Sequence, residues 1–218
     1  MDKTETPEAS PKDRDGHDWV EIVAVIVLSL ATIATAWCGF QAARWSGVMT
    51  LNLSAANATR TQAVTAANYA NTELGYDSGV LLDYAEAYFE GNTTRLEVLK
   101  KRFIRGELDK ALQAWLSMDP ANNPDAPRSP LLMPEYQQAT LKKAESLNKK
   151  AARLTDEAKN DNQRSDDYVL LTVIFASVLF FAGISTKFSS RSAKVAMVLV
   201  GSAILIATVV VLTFQPIH

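Results

Sequence analysis

The chain has 218 residues, 48% hydrophobic and 21% charged, with a formal net charge of −2. That leaves no basic excess to suggest nucleic acid. The single cysteine, Cys38, rules out an intrachain disulfide, and two histidines at opposite ends, His17 and His218, argue against a His/Cys zinc site.

The apolar residues are segregated. Every Lys, Arg, Asp and Glu lies outside three apolar blocks, at 20–40, 168–186 and 195–214, apart from Glu21 at the edge of the first. At 1.5 Å per residue each block is roughly 28–32 Å long as a helix, which matches a bilayer core. Apolar residues favour insertion by about 0.3–0.6 kcal/mol each, and no central charge opposes them at about 3 kcal/mol. The expected fold is an all-α integral membrane protein with three transmembrane helices, at 19–44, 168–186 and 195–214. A helical, coiled-coil-like three-helix domain is inserted between the first and second spans.

Residues 1–18 are rich in Pro, Glu, Asp and Lys, with almost nothing apolar, and read as a disordered cytoplasmic tail. The first span competes with a cleaved signal peptide, because Ala34-Thr35-Ala36 resembles a cleavage site. The acidic flank 13–18 and the long apolar run favour a retained span. A lipoprotein cleavage before Cys38 is disfavoured by bulky Trp37. Trp19, Trp45 and Tyr168 read as interfacial anchors.

The insert, 45–167, opens with a stretch of Ala, Thr, Asn and Ser. Met49, Leu53, Ala56, Arg60, Ala63, Ala67, Ala70 and Leu74 alternate spacings of four and three, a heptad seam of mostly small residues. The returning segment does the same with Leu141, Ala144, Asn148, Ala151, Thr155, Ala158 and Asn162. Both segments are expected to continue as helices into their spans and to pair antiparallel, with residue numbers summing to about 211. Leu53 then meets Ala158, Ala67 meets Ala144, and Ala70 meets Leu141. The same register predicts an ion pair of Arg44 with Asp166 and Asp167 at the membrane surface.

The outer helix is expected to run to about residue 90, loosened at Gly75 and Gly79 and stopped by Gly91-Asn92. Thr93 or Thr94 is expected to N-cap the next helix, 93–117, with Glu97 completing a capping box. Residues 118–133 hold much of the proline and are expected to form an extended ribbon of about 50 Å. The returning helix is expected at 134–167, with Pro134 in its first turn.

Orientation rests on the short loop 187–194, which carries Lys187, Arg191 and Lys194 and no acid, whereas the tail 215–218 has no Lys or Arg. The positive-inside rule puts the loop and the N-terminus in the cytoplasm, and the insert and C-terminus outside.

No Gly-rich phosphate loop or Walker pattern is present, and a Ser-His-Asp triad has only the two terminal histidines to draw on. Asp83, Glu86 and Glu90 share a helical face, readable as a cation site or as a solvated face. Lys100, Lys101, Arg102 and Arg105 form a basic run, partly explained by Glu97–Lys101 pairing. The spans carry hydroxyls but no ionisable group at mid-depth, which argues against an ion-coupled carrier. Thr35/Gly39 and Ala203/Ala207 are small-xxx-small pairs suited to helix packing. No catalytic, cofactor or metal site is read.

Arg102-Phe103, Ala114-Trp115, Asn123-Pro124-Asp125-Ala126-Pro127, Met133-Pro134-Glu135-Tyr136 and Asp166-Asp167-Tyr168-Val169-Leu170-Leu171, with Ala36-Trp37 and Gln41-Ala42-Ala43-Arg44-Trp45, span most of the chain. In these the sequence resembles a group of bacterial three-span membrane proteins with no assigned activity. The resemblance implies a bacterial inner-membrane location and an extracytoplasmic insert. The leading expectation is a non-enzymatic scaffold or accessory subunit in the lipid bilayer, working as a homo-oligomer or within a larger membrane complex. The alternatives are a homo-oligomeric channel and an extracytoplasmic sensor, the latter departing from chemoreceptors by the lack of a cytoplasmic signalling domain.

Overall fold

The computed structural model describes residues 15–217 apart from Ala121, with side chains from residue 19 onward. Of the expected disordered tail, 1–18, residues 1–14 lie outside the described residues, and 15–18 are not disordered but form the first turn of a helix that continues into the apolar block. The described part is helical without strands: α1, Asp15–Phe89; α2, Thr93–Arg102; α3, Gly106–Ser117; a 3₁₀ turn, Pro130–Leu132; α4, Ala139–Ser185; and α5, Arg191–Thr213. Three of these, α1, α4 and α5, are long and apolar enough to cross a membrane. The helix α5 starts at Arg191, four residues before the apolar block at 195–214, with Ser190 in extended geometry before it. The chain divides into two compact units, one from the segments up to Asn52 and from Asp156 onward, the other Leu53–Thr155.

In the first unit the apolar helices pack into a main core, beside a smaller cluster of Val20, Ala24 and Val198. From α4 the main core takes Tyr168, Phe175 and Val178, all fully buried; from α1 it takes Ala31, Cys38 and Ala42; from α5 it takes Leu205. Small residues of α1, Ala31, Cys38 and Ala42, lie between Val27 and Trp45, and on α4 the large Tyr168, Leu171 and Phe175 are followed by Ala182, the mix of sizes that lets helix surfaces interdigitate. Ser165 Oγ donates to the Ala42 carbonyl at 3.0 Å, and Asn52 Nδ2 donates to Asp161 Oδ2 at 2.8 Å. These bonds join rising numbers on α1 to falling numbers on α4, as antiparallel neighbours do.

Hydroxyls within the spans turn back onto their own helices. Ser29, Thr32, Thr35, Ser177 and Thr208 each donate to the carbonyl four residues earlier, at 2.7–3.2 Å. This satisfies the donor without water, as a hydrocarbon setting requires. The small pairs fall elsewhere than expected. Nothing lies within 4 Å of a Cβ built on Gly39, and Ala203 and Ala207 are exposed. The close approach is at Gly201, where such a Cβ meets Phe181 Cβ at 3.6 Å.

In the second unit the buried face of α1 is Ala56, Thr59, Ala63, Ala66, Ala70, Asp77, Val80 and Ala87. Every seventh residue of the expected seam is present: Ala56, Ala63 and Ala70. The positions between shift by one, so Thr59 and Ala66 replace Arg60 and Ala67, and Leu74 is 39% exposed. The reason is polarity. Thr59 bonds its own backbone, Oγ1 to the Ala55 carbonyl at 2.8 Å, whereas Arg60 in a seam leaves a buried charge unpaired. Arg60 instead reaches Thr155 Oγ1 from the flank at 3.5 Å. On α4, Ala144 and Ala151 are buried, while Leu141 is 43% exposed and Asn148 is exposed.

The helix α1 ends as expected, at Gly91 with φ +68. The Asn92 amide donates to the Ala87 carbonyl at 2.9 Å and the Gly91 amide to the Tyr88 carbonyl at 3.2 Å, a Schellman closure. The next N-cap is Asn92 rather than Thr93 or Thr94; its side chain accepts from the Arg95 amide at 3.1 Å.

The expected helix 93–117 is two helices, broken at 103–105. The expected extended ribbon is instead a chain of turns folded onto α3. Trp115 Nε1 donates to the Pro127 carbonyl at 2.6 Å, and Asn123 Nδ2 to the Met118 carbonyl at 3.0 Å. Proline forbids helix here, but the interspersed Asp, Asn and Ser supply turns, such as Ser129 Oγ accepting from the Leu131 amide at 3.3 Å. The returning helix begins at Ala139, five residues after Pro134, because the intervening residues are drawn into the network described next.

Candidate functional site

Polar groups concentrate in the second unit around Asp77, which is 3% exposed. A buried carboxylate is costly unless paired and hydrogen-bonded. Asp77 has both: Arg105 reaches it through Nε at 3.2 Å and Nη2 at 3.1 Å, and the Tyr136 hydroxyl donates to it at 2.8 Å. Arg105 also bonds Glu73 at 3.2 Å and stacks over the Tyr76 ring at 5.5 Å. Gln138 Nε2 donates to the Ala70 carbonyl at 3.0 Å and to the Tyr136 hydroxyl at 3.2 Å. The Thr140 hydroxyl donates to Glu73.

Two breaks in helix make this network. Arg105 is extended, φ −82 and ψ 162, between α2 and α3, which frees its side chain to reach α1. Residues 136–138 precede α4 and bring Tyr136 and Gln138 to the same place. Burial opposes the charge of Arg105, but Asp77 and then Glu73 outweigh it, so its pKa lies above the ordinary arginine value. Burial, then the Asp77 carboxylate, push the Tyr136 hydroxyl well above its ordinary value; Gln138 and Arg105 pull the other way. A neutral tyrosine and a charged arginine sharing one carboxylate make a clamp. It ties α1, the α2–α3 junction and the start of α4 together.

The acidic face of Asp83, Glu86 and Glu90 is met by a cation of the chain itself. Arg95 lies 3.4, 3.0 and 4.0 Å from their respective carboxylates. The basic run is split by the helix break. Lys100, Lys101 and Arg102 close α2, where cations suit the helix dipole, and Arg105 serves the Asp77 clamp.

The first unit carries a second polar cluster. Trp45 Nε1 donates to the Pro216 carbonyl at 3.1 Å and the Tyr168 hydroxyl donates to the same oxygen at 3.2 Å. These two residues, expected as interfacial anchors, are buried, at 6% and 0% exposure; Trp19, at 66%, keeps an exposed ring. Arg164 stacks over Trp45 at 4.5 Å and lies 3.6 Å from Asp161. Arg164 is therefore the cation engaged near this cluster. Arg44 is exposed and forms no ion pair with Asp166 or Asp167 among the described residues; Asp166 accepts from Asn162 Nδ2 at 3.0 Å. At the other end of the spans, Lys194 reaches Glu21 at 3.2 Å.

Of the residues expected to make α1–α4 contacts, Ala158, Ala144 and Ala70 are buried at 4%, 2% and 1%. Ala67 is half-buried, and the large members Leu53 and Leu141 are exposed at 44% and 43%. Asp77, Arg105 and Tyr136 were not singled out as a cluster from sequence. The available signal was Arg105 directly before Gly106, a cation at a residue pair that interrupts helix.

No family model, curated protein or solved structure matches the chain.

Proposed function

We propose that the chain is a non-enzymatic scaffold or accessory subunit of a bacterial inner membrane, acting through helix packing and assembly with copies of itself or a partner. The observation that carries this is the outward face of α1 over 46–72. It holds one charged residue, Arg60, although Leu51, Val64 and Tyr69 are 71%, 54% and 64% exposed. The returning stretch 142–167 holds thirteen charged residues. A solvated helix face normally carries charge, and charge depletion with exposed aromatic and aliphatic groups is the composition of an interface.

In this reading residues 45–167 form an extracytoplasmic, coiled-coil-like domain. The N-terminus and the loop before α5 lie in the cytoplasm and the C-terminus lies outside. Lys187, Arg191 and Lys194 beside an uncharged 215–217 support that orientation.

A homo-oligomeric channel is the second reading, favoured by the row of Thr, Ser and Asn on the same face. Against it, Thr50, Thr61, Thr65 and Thr72 donate to carbonyls four residues earlier at 2.9–3.1 Å. Hydroxyl donors spent this way leave methyl groups outward, which suits helix packing better than a wetted lumen.

Disulfide trapping of Val64→Cys in a Cys38→Ser background tests the reading. Rapid crosslinking between copies in native membranes, with Glu145→Cys on α4 inert, is the expected result. An unlinked Val64→Cys, together with a monomeric mass in mild detergent and no co-purifying protein, overturns it. Conductance by a purified ring in a bilayer selects the channel.

A further inference from the structure

A cavity of about 630 Å³ lies in the second unit, between the end of α1, α3 and the proline-rich turns. Leu81, Ala85, Leu112 and Leu131 form apolar walls, and Tyr84 and Trp115 add aromatic faces. Its size falls in the range of about 300–1,000 Å³ typical of small-molecule sites. Three side-chain hydrogen-bond donors line it without a hydrogen-bonding or ion-pair partner among the described residues: the Arg128 guanidinium and the Tyr84 and Tyr88 hydroxyls, of which Tyr84 is half-buried and Tyr88 is exposed. The one acid in the wall, Asp119, is engaged, its Oδ2 accepting from Asn122 Nδ2 at 2.9 Å. An apolar, aromatic-lined cavity with an unpaired cation and unpaired hydroxyls complements an apolar anion.

We infer that this cavity is a binding site for a small apolar or aromatic monocarboxylate, its carboxylate held by Arg128 with Tyr84 and its body between Trp115 and the leucines. A guanidinium presents two parallel N–H groups in the geometry a carboxylate accepts. The flat, low-entropy faces of Tyr84 and Trp115 suit a ring. The site is separate from the outward face of α1 at 46–72, so binding here and assembly there stand or fall independently.

The test is calorimetric titration of the full chain in nanodiscs with 2-naphthoate and, for comparison, the neutral 2-naphthalenemethanol, each corrected with empty nanodiscs. The expected result is saturable one-to-one binding of naphthoate, about tenfold tighter than the alcohol. Arg128→Gln, at an exposed position, removes that preference and leaves alcohol binding unchanged. Ala85→Phe, which fills the cavity from α1, weakens both ligands about tenfold or more. Leu131→Phe, on the opposite wall, replaces it if Ala85→Phe disturbs the helix content. No saturable binding, a wild-type preference retained in Arg128→Gln, or full binding in a well-folded cavity-filled variant each overturns the proposal.

Discussion

The two compact units bury different things. In the first, rings and branched side chains from both α1 and α4, Trp45, Tyr168 and Phe175 among them, pack with small residues such as Ala31, Cys38 and Ala182. In the second, the seam is largely alanine: Ala56, Ala63, Ala66 and Ala70 on α1, Ala144 and Ala151 on α4. Burial yields about 0.8 kcal/mol per CH₂, so an alanine seam contributes little per layer. The second unit adds a charged clamp, Asp77–Arg105–Tyr136, where the first unit uses shape. The difference follows from the surroundings each sequence implies. In lipid, helices gain nothing by hiding apolar surface and associate through close packing. Outside it, weakly apolar helices need directional bonds to fix which faces meet.

That contrast is breakable from either side. The largest effect is expected from Phe175→Ala, which empties a fully buried position among the spans and costs about 3–5 kcal/mol. Unfolding of reconstituted protein by a denaturing detergent measures it, and amide exchange in α2 and α3 should stay at wild-type rates. Equal loosening of α2 and α3 contradicts a division into separately stabilised units.

Arg105→Ala attacks the second unit and is expected to cost about 2–3 kcal/mol. It strands the Asp77 carboxylate with one neutral donor, though Arg105 is itself 44% exposed and its loss is partly screened. Amide protection in α2 and α3 should fall roughly 100-fold, with the detergent-unfolding midpoint of the spans unmoved. Arg105→Lys should recover little, because one ammonium cannot reproduce paired guanidinium bonds to Asp77. Full recovery by lysine shows that charge alone matters there.

How much of this was visible in the sequence follows the same division. The spans were legible because twenty apolar residues without a charge have few other solutions. The stop at Gly91-Asn92 was legible because the left-handed cap is a local requirement. The seam is legible at every seventh residue, and between Thr59 and Arg60 the cost of a buried charge selects Thr59. The α2–α3 break was not. It depends on Asp77, 28 residues before Arg105, and no local pattern announces a partner at that distance. The turns at 118–133 were missed for a related reason: proline fixes φ, but whether a proline-rich run extends or folds depends on acceptors such as the Pro127 carbonyl meeting Trp115.

The smallest predicted effect separates the clamp's hydrogen bond from its charge. Tyr136 has an ordinary pKa of 10.0, raised in the fold first by burial and then by Asp77. The folded chain therefore holds the phenolic proton after the unfolded chain has released it. Below pH 10 both states are protonated and the clamp's stabilisation is complete. As pH rises above 10 the unfolded state gains by ionising, and stability falls until the folded pKa is reached. Tyr136→Phe should remove that alkaline decline in the second unit while costing about 1–2 kcal/mol at neutral pH for the lost bond to Asp77. Amide exchange of α3, corrected for intrinsic rates at each pH, gives both numbers. An alkaline decline that is unchanged in Tyr136→Phe assigns it to another group, such as Tyr84, whose pKa is also raised by burial. In that outcome Asp77 is held by Arg105, and Tyr136 contributes only packing.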